Sequence, residues 1–152
     1  MITSILLLAI TCLIVMPLNA QTKKELKKQK AAEEFAETRS LVESGSFHFD
    51  AIRALPSKGP TINLFSHTAF VEISNDSARA NLPFFGTAHS GVAYSTESGG
   101  IEFHGTMEGV DLTVNEDKSK INLTFSVKSG RDQYNCHYTI TGNGSSTLGI
   151  TS

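Results

Sequence analysis

A chain of 152 residues has the length of a single domain. Thirteen Lys and Arg against fifteen Asp and Glu leave a net charge of −2, without the basic surface that a nucleic-acid partner requires. Of the two cysteines, Cys12 lies in an N-terminal apolar run; Cys136 is then the one thiol of the remaining chain, and a disulfide-stapled scaffold is excluded.

Residues 1–20 read as a signal peptide. Ile5 to Val15 is apolar except for Thr11, and Pro17 and the small residue Ala20 follow at a cleavage edge. The rival is a retained membrane anchor, which needs about 20 apolar residues; this run is shorter. The expected location is periplasmic or secreted. Residues 21–45 form a charged tether and helix. Lys23, Lys24, Lys27, Lys28 and Lys30 precede Glu33, Glu34, Glu37 and Glu43. That order opposes the helix dipole, which favours anions at the N-terminus. The spacing of Ala31, Phe35, Thr38 and Val42 therefore predicts a helix over about 31–43, with 21–30 frayed and Gly45 as its C′ residue. Membrane contact is at most peripheral, through the Lys23–Lys30 stretch.

From Ser46 the apolar period changes to two, the signature of half-buried strands. Phe47 and Phe49 flank His48. Ile62 and Leu64 follow a turn at Pro56–Pro60, and Ala69, Val71 and Ile73 alternate with polar neighbours. Asn75-Asp76-Ser77 is turn chemistry leading to Ala78, Ala80 and Leu82. Pro83 takes the chain out of the ladder into Phe84-Phe85-Gly86 and a polar loop, Thr87–Ser98. Ile101 and Phe103 alternate with Glu102 and His104, and Gly105 and Gly109 bracket a bend. Val110, Leu112 and Val114 point one way. Ile121, Leu123, Phe125 and Val127 form the cleanest half-buried strand. Tyr134, Cys136, Tyr138 and Ile140 form another inward face, and Leu148 and Ile150 end the pattern after Gly142-Asn143-Gly144. Strands at this spacing without βαβ alternation predict an all-β domain over 46–152, a single antiparallel sandwich or small barrel of about eight strands.

The chemistry of catalysis is missing from the pattern. His48, His67, His89, His104 and His137 show none of the close pairs that anchor a zinc site, so no metal or other cofactor is expected. No GxSxG elbow occurs. Cys136 lies on an inward face with His137 turned away, so the thiol has no base and reads as core. Glu97, Glu102 and Glu108 read as solubilising residues on outer faces. No catalytic residue is assigned. The aromatic corner remains: Leu82, Phe84, Phe85 and Phe103 either plug one end of the sheet or line an apolar mouth.

Several short motifs, in order, carry a resemblance. They are Leu41-Val42-Glu43-Ser44-Gly45, Phe47-His48-Phe49, Ala54-Leu55-Pro56, Leu82-Pro83-Phe84-Phe85-Gly86, Gly100-Ile101-Glu102-Phe103-His104-Gly105, and Gly142-Asn143-Gly144-Ser145-Ser146-Thr147-Leu148. Together they resemble domain-of-unknown-function family 4251, exported proteins of Bacteroidetes-type bacteria. The family has no assigned activity, so the resemblance carries over no catalytic or binding residue. The functional expectation is a non-enzymatic exported domain that binds an apolar small molecule or an envelope partner, with Leu82, Phe84, Phe85 and Phe103 as the ligand-binding residues. The alternative is a structural or interaction protein of the envelope acting through an exposed sheet edge.

Overall fold

The computed structural model describes residues 22–56, 59–65, 68–83 and 100–152. The chain divides into two units, residues 1–30 and 31–152. Of the first, the described part is Thr22 and the opening turns of the helix, all exposed.

The helix, α1, spans Lys23–Glu43, so its start differs from the expected position near residue 31. A capping box explains the difference. The Thr22 N–H donates to Glu25 Oε2 at 2.8 Å, and Glu25 N–H donates to Thr22 Oγ1 at 3.3 Å. Each side chain thus satisfies a backbone donor that the first turn leaves orphaned. These bonds hold the Glu25 carboxyl below its usual range. In the second unit, Phe35 and Val42 are the buried positions of α1, seven residues apart on one face. The helix ends where expected, with Gly45 at φ 69°.

Nine strands follow among the described residues: β1 Ser46–Asp50, β2 Arg53–Ala54, β3 Ile62–Asn63, β4 Phe70–Ser74, β5 Ser77–Pro83, β6 Gly100–Asn115, β7 Lys120–Ser129, β8 Asp132–Thr141 and β9 Ser146–Thr151. Seven of them form one antiparallel sheet in the order β1-β4-β5-β6-β7-β8-β9, and β2 and β3 form a small hairpin. The sheet curls into a half-barrel. The all-β expectation therefore holds, in the form of one curled sheet with α1 packed on it. Apart from the step from β1 to β4, each strand pairs with its neighbour in sequence.

Period-two burial follows from the curl. Ile121, Leu123, Phe125 and Val127 on β7 are buried, and so are Tyr134, Cys136, Tyr138 and Ile140 on β8. These faces meet Val71, Ile73, Ala78, Ala80 and Phe103 in one core. The turns match their chemistry: Asn75 adopts φ 54°, and Gly130 and Gly144 adopt φ 63° and 79°. The bend expected between Gly105 and Gly109 is a β-bulge inside one long strand. The register of β6 on β7 shifts between Glu108 and Asp111, with Gly109 at φ 62°. This extra residue moves the inward positions of β6 from Phe103 and Met107 to Leu112 and Val114, which pair with Leu123 and Ile121. Val110 and Leu112 nevertheless remain 53% and 37% exposed.

Candidate functional site

The two ends of the strand order, β1 and β9, border one groove. Its cavity measures about 580 Å³. Phe47 and Phe49 from β1, Leu148 from β9 and Val42 from α1 supply apolar walls. Behind them lies Tyr138. Its ring meets Phe47 and Phe49 edge-on, at centroid distances of 6.2 and 5.5 Å, and stacks on Phe125 at 6.2 Å. Contacts between the first strand and the eighth show how far the sheet curls.

Helix α1 closes one end of the groove. Thr38 Oγ1 donates to the Gly142 carbonyl at 3.1 Å. A Cβ on Gly142 would lie 3.4 Å from the Phe35 Cβ, so the glycine lets the β8–β9 turn approach the helix. At its other end α1 runs through Gly45 directly into β1. The helix therefore bridges the two edges of the open sheet. Arg39 reinforces this end, donating to Glu43 at 2.7 Å and to Glu116 in the β6–β7 turn.

Three large apolar side chains sit on the rim: Leu41 is 54% exposed, Ile52 55% and Leu55 69%, and all three line the groove. Sequence reasoning missed them. Leu41 lies beside the buried Val42, off the helix's inward face. Ile52 and Leu55 follow β1 where the alternation breaks. The available signal was that break, four apolar residues in Ala51-Ile52-Arg53-Ala54-Leu55 without a period.

Polar groups mark the outer lip. His48 Nε2 lies 3.1 Å from Asp50 Oδ1, and the imidazole stacks on Phe70 at 5.4 Å, which fixes it on the outer surface. No hydroxyl hydrogen-bonds this imidazole among the described residues. Cys136 is buried, and desolvation pushes its thiol up to about 12, the reverse of what a nucleophile needs. Burial, with Cys136 beside it, also raises the Tyr138 phenol well above its ordinary range. Among the described residues no cluster of three or more His, Cys, Asp or Glu could hold a metal ion. The groove offers shape and apolar surface from Val42, Phe47, Phe49 and Leu148.

Of the residues expected to bind a ligand, two are described. Leu82 and Phe103 belong to the buried core, and Phe103 stacks on Tyr134 at 5.3 Å. Phe84 and Phe85 lie outside the described residues, as do His67 and His89. His104 and His137 are exposed, on the faces opposite the core.

Residues 29–152 match the model of a family described as a domain of unknown function, DUF4251. The fold is similar to the crystal structure of a DUF4251 family protein from Bacteroides eggerthii. The two chains are 20% identical, the match covers 79% of this chain and 78% of that one, and the TM-score is 0.60. A search of the curated proteins found no match.

Proposed function

The chain belongs to the DUF4251 family of domains of unknown function, and from that premise we propose that it is a non-enzymatic binding module whose groove between β1 and β9 takes an apolar partner. One observation carries the reading: Leu41, Ile52 and Leu55 are each more than half exposed and all line the same cavity. A large exposed apolar side chain is ordinary when single. Three on the rim of one groove with an aromatic wall mark an interaction site. The proposal includes export, with residues 1–20 as the signal peptide and the envelope as the place of action; the apolar run Ile5–Val15 ahead of Pro17 and Ala20 supports it. A second reading, association through a free sheet edge, is supported by the end positions of β1 and β9 in the strand order.

The test is titration with N-phenyl-1-naphthylamine, whose fluorescence rises in apolar sites. Saturable binding is expected. The double variant Ile52→Asn, Leu55→Asn removes it and leaves the melting temperature near that of the wild type, because both side chains are mostly exposed. Binding that is unchanged in the double variant refutes the assignment of the groove.

A further inference from the structure

The register of the two edge strands shows which backbone groups face the groove. On β1, the Ala51 N–H donates to the Ala69 carbonyl at 2.8 Å and the Asn75 N–H to the Gly45 carbonyl at 2.7 Å. Hydrogen-bonded pairs alternate along an antiparallel ladder. Within the β1–β4 register, Phe47 and Phe49 are therefore tied to β4, while the N–H and C=O of His48 and Asp50 point to the open side; those of Ser46 are taken by the Ser44 hydroxyl at 3.3 Å. On β9, the Thr141 N–H donates to the Ser145 carbonyl at 2.8 Å. Carried along the β8–β9 register, the same alternation ties Thr147, Gly149 and Thr151 to β8. The backbone groups of Ser146, Leu148 and Ile150 then point outward.

We propose that the groove takes an extended segment of a partner polypeptide, which adds as an eighth strand between β1 and β9. The proposal rests on the reading of the groove as the binding site and names its occupant. Strand parity supports it. Six successive antiparallel pairings leave β1 and β9 running in the same direction. One strand antiparallel to both completes an all-antiparallel ring of eight, a number whose interior side chains can fill. Such a strand meets outward donors and acceptors on both walls, those of His48 and Asp50 on β1 and of Leu148 and Ile150 on β9, which a lipid chain cannot do, while its apolar positions meet Phe47, Phe49 and Leu148. Pairing with both walls needs a segment free on both of its own edges. An edge strand still joined to the sheet of a second copy lacks that freedom. The segment is therefore apolar at alternate positions and polar between them, over about five to eight residues.

The experiment screens the purified full chain against a library of end-blocked octapeptides with apolar residues at alternate positions, read by fluorescence polarisation. Saturable binders are expected. N-methylation of alternate residues in a binder weakens it by about tenfold or more, because each methyl removes a donor. Asp50→Pro removes one outward N–H without touching the β4 ladder and also weakens the peptide. Equal binding of the methylated and unmethylated peptides overturns the strand geometry. A groove that binds the dye but no member of the library overturns the polypeptide occupant and leaves the apolar site standing. A groove that binds neither removes the site itself. Concentration-dependent self-association abolished by Asp50→Pro assigns the groove to a second copy and also overturns the proposal.

Discussion

Tyr138→Phe isolates one oxygen atom at the centre of the fold. The residue is 1% exposed, and its hydroxyl has no hydrogen-bond partner among the described residues. The ring's contacts with Phe47, Phe49 and Phe125 do not use the oxygen and survive in phenylalanine. Burying a hydroxyl without a partner costs about 1–3 kcal/mol, and the small void left by its removal takes back part of the gain. The expected net effect is a stabilisation of about 1 kcal/mol, or roughly 3–5 °C in Tm for a domain of this size. Urea unfolding followed by circular dichroism measures it, with an unchanged m-value as the sign that the denatured state is untouched. The same variant changes the alkaline limb. Burial raises the phenol's pKa in the folded state, whereas the unfolded tyrosine ionises near pH 10, its ordinary value. Above that pH the unfolded chain holds fewer protons than the folded one, so wild-type stability falls as pH rises. Tyr138→Phe falls less steeply. A loss of 1 kcal/mol or more at neutral pH refutes the reasoning, since it requires the hydroxyl to be bonded in solution, to a trapped water or to a group outside the described residues.

The remaining predictions concern single positions. Cys136, with its thiol raised to about 12 by burial, stays unlabelled by iodoacetamide at pH 8 in the native chain and labels fully in urea, as mass spectrometry reads. Its share of stability is present below the unfolded thiol's pKa near 9 and is lost above it, by about 1.4 kcal/mol per pH unit; Cys136→Ala removes that dependence. Gly105→Ala places a Cβ 2.8 Å from the Lys128 carbonyl oxygen and 3.1 Å from Val127 Cγ1, so β6 and β7 must separate, and a loss of about 2–3 kcal/mol is expected in the urea midpoint. Thr22→Ala removes the cap of α1, and amide exchange over the first turn quickens severalfold while the global unfolding transition stays in place.

Most of the sheet was legible because one wall of each strand is dry. Phe47 and Phe49 on β1, Val71 and Ile73 on β4 and the four inward residues of β7 alternate with polar neighbours for that reason alone. What failed was either local chemistry overlooked or geometry that no local window contains. The dipole argument for a frayed start of α1 was sound in sign and outweighed by the reciprocal bonds of Thr22 and Glu25. Phe103 lies on a strand, as its alternation predicts, and packs in the core; alternation identifies an inward face without saying whether that face meets core or ligand. The groove was out of reach altogether. It exists because seven strands curl until β1 approaches β8, and because a helix spans the gap; neither fact is written within any ten residues.

The bond from Thr38 to Gly142 joins positions 104 apart in the sequence. Every sheet pairing from β4 onward can form between consecutive segments as hairpins close in turn, with little loop-closure entropy. The contact between α1 and the β8–β9 turn cannot. The first element of the domain has to wait, its Phe35 and Val42 uncovered, until the last hairpin has been made. Seating of the helix is thus the late, nonlocal event of assembly, and a chain halted before Gly142 presents those two side chains to whatever chaperone or protease meets it.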